Sequence, residues 1–406
     1  MIRLALRNTL RNRRRSLLCA LAIAVSVMAI ILLLALLDSM EDDMRHTLTT
    51  YYTGDVRVRH DQYTHYERYA PLHLNLETER AQAIIGTVSK VVASAPRITF
   101  PSSLHVGDRN RPVQAVGVDF IQERHFIDFD HILTEGALPD PGSHQVVLGL
   151  GLAKTLGLGV GDRLTLLAKT AMHGTNAISF TVSGLIAPPV GMLVANGLYL
   201  NLSSAQRLLM MDTKATDIIV KAQRATDLQM LAHTIEDALH QGGIEGQASA
   251  FMDINELYGF LATAKLIYWI IALIFFILGS TVIINTTMMV VYERMAEIGM
   301  MKAMGMSDRR TSSLFMLEGF FISAAGAAIG LAIGIVLTFI LSKVGLDFTE
   351  ALSGIEMEIS SILRPQVDLV TAVLVALFGM VIATLSTLIP SRRAAKIQIV
   401  EALHYV

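Results

Sequence analysis

The sequence predicts a membrane α-helical fold, with four transmembrane helices and a large α+β extracytoplasmic domain between the first and second. Three observations predict it. Of the 406 residues 52% are apolar and only 17% charged, with a mean hydropathy of +0.50, whereas soluble domains are about a quarter charged. Four stretches, 17–37, 266–291, 320–341 and 369–389, contain no Asp, Glu, Lys, Arg or His, and each reaches the roughly 20 residues a helix needs to cross a hydrocarbon core. Between the first two lies a long mixed segment, 38–265, with ordinary polar composition.

The N-terminal segment 1–16 reads as a cytoplasmic amphipathic helix over 2–15. Ile2, Leu6 and Leu10 recur every fourth residue, beside a stripe of Arg3, Arg7, Arg11 and Arg14 that anionic lipid would attract to the inner surface. A topology signal with no further role explains the same arginines equally well. Span 17–37 outlasts the roughly 7 to 15 apolar residues of a signal peptide. Its exit, Leu36-Leu37-Asp38-Ser39-Met40, lacks a small-x-small cleavage pattern, so it is expected to be a retained anchor. It holds the one cysteine, Cys19, and the outer domain must therefore rely on an ordinary core rather than a disulfide.

Orientation follows from lysine and arginine beside the spans. Segments 1–16, 292–319 and 390–406 carry thirteen basic and five acidic residues, a net +8; 342–368 carries −3 and 38–265 carries −7. Both termini and 292–319 are expected in the cytoplasm, with 38–265 and 342–368 outside. The positive charge is divided among membrane-flanking segments, which is no nucleic-acid footprint.

In the outer domain, strands are predicted at 55–59, 113–118, 146–148, 163–168 and 178–185. Helices are predicted at 77–92, 149–156, 203–210 with Ser203 or Ser204 as N-cap, and 227–240. Breaks at 136–142 and 187–191 suggest a middle block, about 117–214, inserted between an earlier and a later part.

Span 266–291 has Tyr268 and Trp269 near one end and Tyr292 at the other, as interface anchoring predicts. Its Ser280, Thr281, Asn285, Thr286 and Thr287 are expected to bond between helices. In span 320–341, Gly326, Gly330 and Gly334 fall four apart among alanines, giving a nearly bare face for close helix packing. That contact could be within the chain or with another subunit.

Uncharged spans argue against ion-driven transport. Gly149-Leu150-Gly151-Leu152-Ala153-Lys154-Thr155 lacks the spacing of a phosphate-cradling loop. The histidines, including His60, His65, His73, His125 and His131, show no compact metal-ligand spacing, and no nucleophile motif points to catalysis. Neither a catalytic residue nor a cofactor or metal site is assigned.

Segment 292–319 reads as helix, glycine break, helix. Glu293 and Glu297 would stand four apart on one face, a repelling pair that a basic partner would relieve. Ile298, Met301 and Gly305 share another face, and Gly305 with Ser307 and Asp308 supplies a break and a new N-cap. The run from Tyr292 through Glu293, Arg294, Glu297, Ile298 and Gly299 to Lys302, Gly305 and Ser307 resembles the ER-x-x-EIG...ALG-x-S segment of the FtsX-like permease superfamily, which includes MacB-type exporters. The tail Pro390-Ser391-Arg392-Arg393-Ala394-Ala395 through Glu401-Ala402-Leu403 is similar to its C-terminal P-x-x-RAA...EAL pattern. Glu135-Gly136, Val146 to Gly149 and Val160-Gly161-Asp162 resemble its periplasmic core.

The resemblance implies a non-catalytic ABC permease subunit working by mechanotransmission. A second copy or paralogue would pair with it, and a separate cytoplasmic ATPase dimer would bind ATP and Mg. Glu293, Arg294, Glu297, Ile298, Gly299, Lys302, Gly305 and Ser307 would couple to that ATPase. Within the superfamily the chain is most similar to lipoprotein-releasing permeases, although its Met-rich 298–306 departs from the aliphatic pattern and leaves the ATPase's identity open. A lipoprotein or other periplasmic client is the implied cargo; export of peptides or small amphiphiles, and signalling to a cell-wall hydrolase, are the alternatives.

Overall fold

The computed structural model describes residues 2–11, 13–187, 197–254, 256–347, 362–366 and 368–396. Of the described residues, those within 42–260 form one compact unit; a second gathers those within 2–41, 261–347 and 362–396.

The first unit is built on one large sheet. Its strands are β1 (Val56–His60), β2 (Leu76–Glu77), β3 (Val91–Val106), β4 (Arg109–Val118), β5 (Leu133–Gly136) and β6 (Gln145–Gly149). They continue with β7 (Arg163–Lys169), β8 (Thr175–Ile186), β9 (Leu198–Asn201), β10 (Lys214–Ala215), β11 (Asp217–Ala222) and β12 (Gly246–Ala250). The sheet order is β12-β1-β11-β3-β4-β9-β6-β8-β5, with β7 joined to β3 and β8, while β2 and β10 pair separately.

The two largest apolar cores of this unit pack on the sheet. Val56, Val58, Ile218 and Val220 pack with Ile85 of one helix (Thr78–Ile85) and Ile235 and Leu239 of another (Leu228–Gln241). Ile98, Phe100, Val146, Leu166 and Phe180 pack with Leu152 and Leu208 of helices Leu150–Leu156 and Leu202–Leu209. The first core joins the beginning and end of the unit; the second is mostly the middle block, which agrees with an insertion. β3 belongs to both.

The second unit contains α1 (Ile2–Arg11), the start of α2 (Arg13–Thr47), α3 (Glu256–Glu293), α4 (Met295–Ala303), α5 (Asp308–Val344), α6 (Leu369–Ser386) and α7 (Leu388–Ala395). Among the described residues four helices are long and apolar enough to cross a membrane; α2, α3 and α5 extend beyond their predicted apolar windows, whereas α6 ends at Ser386, three residues short of its own, and α7 follows from Leu388. Ile23, Val27 and Ile31 of α2 meet Ala272 and Phe276 of α3 and Val375 and Ala376 of α6 in its core.

The segment expected to be helical over 2–15 is helical at every described residue, α1 covering Ile2–Arg11 and α2 starting at Arg13, with Arg14 in α2; residue 12 lies outside the described residues. Several sequence expectations need correction. The helix expected over 77–92 stops at Ile85, where Gly86 caps it, and Val91 already begins β3. Neither Ser203 nor Ser204 is an N-cap: the helix begins at Leu202, behind Asn201, and Ser204 Oγ donates to Ser143 O at 3.0 Å. In α3, Thr281 donates to the carbonyl of Ile277 on its own helix, the ordinary recourse of a hydroxyl within a span, while Thr286 donates to Val282 O and also bonds Cys19 of α2, the interhelical bond expected for it. The expected break at 187–191 lies outside the described residues beyond Ala187.

Candidate functional site

The segment between α3 and α5 is a compact bracket. α3 ends at Glu293, and Arg294 (φ −104°, ψ 18°) leaves helical geometry before α4 begins. Glu293 and Glu297 therefore do not stack on one continuous helix. Each is also neutralised within the chain: Arg15 donates to both carboxylate oxygens of Glu293. Arg11 Nη2 reaches Glu297 Oε1 at 3.0 Å, and Arg294 Nε lies 3.5 Å from Glu297 Oε2. The basic complement inferred for a partner is thus already supplied by the N-terminal arginines. Arg11 with Arg15 and Glu293 with Glu297 share a four-residue spacing, but nothing in either segment alone points to the other.

The remaining predicted coupling residues divide by burial. Ile298 and Gly299 face inward with Met295, and Ile298 packs on Val291, Phe315 and Ala394. They hold the bracket in place. Lys302 Nζ donates to Ala395 O at 2.7 Å and meets Asp308 Oδ1 at 2.8 Å, tying α4 to the end of α7 and the start of α5. Gly305 turns the chain at φ +96°, a region in which glycine has no Cβ to clash. Ser307 occupies the N-cap position of α5, although its side chain makes no capping bond. The outward surface is Met300, Ala303, Met304 and Ser307, with Met304 80% exposed.

Sequence reasoning missed Glu318. Its carboxylate accepts from Asn8 Nδ2 at 2.6 Å and lies 3.7 Å from Arg294 Nη1, joining α1 and α5 beside the bracket. Of the arginines assigned to the membrane surface, Arg11 turns to Glu297. Arg3, Arg7 and Arg14 are exposed, with no ion pair among the described residues.

The glycine ladder packs within the chain. A Cβ added at Gly326 would lie 2.5 Å from Ala20 O, and one at Gly330 would lie 2.5 Å from Ala24 O and 2.8 Å from Ala24 Cα. At Gly334 it would meet Ile31. α5 and α2 thus touch backbone to backbone, as small-residue faces permit.

In the outer unit a buried clamp grips the end of the helical stem that follows span 17–37. Arg97 of β3 bonds Glu123 through Nε at 3.0 Å and also through Nη2. It donates onward to Tyr51 O at 2.6 Å and Thr50 O at 3.1 Å, the carbonyls at the stem's C-terminal end. Arg97 is 2% exposed and Glu123 0%. A single arginine in a stretch containing two prolines gave no sequence signal for this role.

Residues 16–238 match the MacB-like periplasmic core domain, and residues 269–399 the FtsX-like permease C-terminal family. The chain belongs to this family of FtsX-like permeases. Its α+β unit is accordingly the family's periplasmic domain, set between the first and second membrane helices. Among relatives, the permease is 24% identical over 327 residues to the lipoprotein-releasing system transmembrane protein LolC of Neisseria meningitidis serogroup B, covering 78% of each chain. It is 26% identical over 348 residues to LolC of Xylella fastidiosa, covering 83% of this chain and 82% of that one. The macrolide export ATP-binding/permease protein MacB of Bdellovibrio bacteriovorus is 26% identical over 195 residues, 46% of this chain and 28% of that one. The solved periplasmic region of MacB from Actinobacillus actinomycetemcomitans aligns with a TM-score of 0.37 at 15% identity, over 50% of this chain and 91% of that one.

Proposed function

We propose that this permease is the membrane subunit of an ATP-driven complex that releases lipoproteins from the outer leaflet of the bacterial inner membrane. The observation that carries the reading is the extent of similarity: alignments with two LolC proteins run through 78% and 83% of this chain, against 46% and 64% for two MacB proteins. In this reading the chain has no catalytic role. ATP and Mg are bound by a separate cytoplasmic ATPase dimer, and a second permease copy or a paralogue completes the membrane part. The arginine-flanked ends face the cytoplasm, and Arg3, Arg7 and Arg14 lie toward anionic headgroups.

The ATPase docks on the outward face of α4, at Met300, Ala303, Met304 and Ser307. An adaptable thioether surface suits packing against a partner, while the inward Ile298 and the Lys302 bonds keep that face rigid. Closure of the ATPase pair shifts α4 and its attached helices, and the periplasmic domain does mechanical work on its client without a pore.

The test is reconstitution with the co-expressed ATPase and second permease in liposomes carrying a fluorescent triacylated lipoprotein. ATP-dependent transfer to a soluble acceptor, lost in Met304→Glu with membrane insertion intact, is expected. ATP-dependent export of a peptide or amphiphile without lipoprotein release would replace the reading with an exporter. Activation of a cell-wall hydrolase without transport would replace it with a signalling subunit.

A further inference from the structure

A groove of about 790 Å³ opens on the periplasmic domain, within the size range of ligand pockets. Its floor is one face of the β3–β7–β8 surface. Ser103 stands opposite Leu167 on β3 and β7, and Lys169 opposite Thr175 on β7 and β8. Its lip is the segment from Tyr66 to His73, and the turn between β7 and β8 brings His173 within 5.8 Å of His73, ring centre to ring centre.

The lip is held in shape by charge. Arg59 lies over the Tyr63 ring at 4.4 Å and bonds Glu67 Oε1 at 2.5 Å, with Arg57 Nη2 3.5 Å from the same oxygen. Tyr66 and Tyr69, on either side of Glu67, are left 45% and 80% exposed against the groove. Two groove residues other than glycine, Ala70 (φ 45°) and His173 (φ 61°), adopt left-handed backbone. Such conformations persist where the surroundings enforce them and gather at ligand sites.

The lining combines tyrosine, proline, leucine and alanine surfaces with Lys169, His73 and His173, and none of the lining residues is acidic. We infer that this groove binds a single-chain amphiphile with an anionic head, its tail on Leu167, Pro101, Tyr66 and Tyr69 and its head beside Lys169 and the two histidines. The groove has room for one acyl chain and its head. This site is independent of the transported cargo.

The experiment uses the full chain in nanodiscs of zwitterionic phospholipid, titrated with dansyl-labelled undecanoic acid. Saturable fluorescence at one site per chain, absent from empty discs, is expected. Ser103→Trp fills the groove from a half-exposed strand position that tolerates an aromatic residue, and binding should weaken about tenfold or more as the tail loses its place. Leu167→Glu, at an exposed position, should weaken binding in the same way should the tryptophan disturb the strand. Lys169→Glu should weaken it about fivefold, the scale of an exposed ion pair. Displacement by oleate or lysophosphatidate supports the site, and the one acting at lower concentration identifies the source of the anion. Equal fluorescence in wild type, Ser103→Trp and Leu167→Glu, or displacement by neutral monoolein as effective as by oleate, overturns the inference.

Discussion

Arg15 and Glu293, 278 residues apart in sequence, form a two-pronged ion pair between the first membrane helix and the end of the second. Charge that reads as a partner's docking surface is, in the folded chain, already engaged. The pair therefore braces the bracket that α4 projects from.

A charge swap separates bracing from docking. Glu293→Lys and Arg15→Glu should each lower ATPase stimulation, and the double variant Arg15→Glu/Glu293→Lys should recover most of it. The measurement is ATP hydrolysis by purified reconstituted complex. A double variant as defective as the singles would assign Glu293 to the partner instead.

At the helix seam, Gly330→Leu should destabilise or uncouple the assembly, because even its Cβ would fall 2.5 Å from a backbone oxygen that cannot rotate away. Overpacking of this kind costs about 1 to 3 kcal/mol. Leu331→Ile, nearly conserving volume, should stay within about 1.5 kcal/mol of wild type. Thermal unfolding and transport by the purified complex distinguish the two.

The Arg97 clamp predicts a larger loss. Arg97→Met leaves Glu123 buried without its counter-charge, which costs about 3 to 5 kcal/mol. Arg97→Met/Glu123→Leu should recover only part, since the Thr50 and Tyr51 carbonyls still lose their donor, about 1 to 3 kcal/mol when a buried group is left unpaired. Denaturant unfolding of the full chain in detergent checks the order.

Asp217 should give the periplasmic domain an acid-sensitive stability. Burial works to raise its carboxyl, but Arg59 and Arg57 outweigh burial and hold it below the usual range. Its contribution is therefore fully present above the unfolded value of about 3.9 and fades as pH falls through the lower folded value. Asp217→Asn should lower the melting temperature at neutral pH, with the gap from wild type narrowing toward pH 3 and below, as followed by tryptophan-independent far-ultraviolet melts.

The membrane helices were legible because one physical requirement, apolarity over a fixed length, outweighs everything local. β3 was not, because Pro96 and Pro101 argue against a central strand. Each proline stands one residue before a flanking strand begins: β4 pairing starts at Arg97 and β7 pairing at Ser102. At both points one side of β3 lacks a neighbour, so a missing donor can be accommodated. β12, Gly-Gln-Ala-Ser-Ala, has little strand preference of its own and is stabilised by β1 beside it and by Leu239 and Ile235 beneath. The bracket was legible as helix, break and helix. Its charge pairing was not, since periodicity within one segment says nothing about an oppositely charged segment nearly three hundred residues away.

The seam between α2 and α5 also restricts traffic in the plane of the bilayer. Where Gly326 and Gly330 bring two backbones together, no acyl chain can slip through without prising the helices apart. On the proposed function, lateral passage of a lipid-modified molecule would have to use another face of the helical unit. The second membrane helix offers one, presenting Leu266, Ile270, Ile274 and Leu278 outward; the first helix, held against Gly330, is the fixed wall from which such a doorway would be measured.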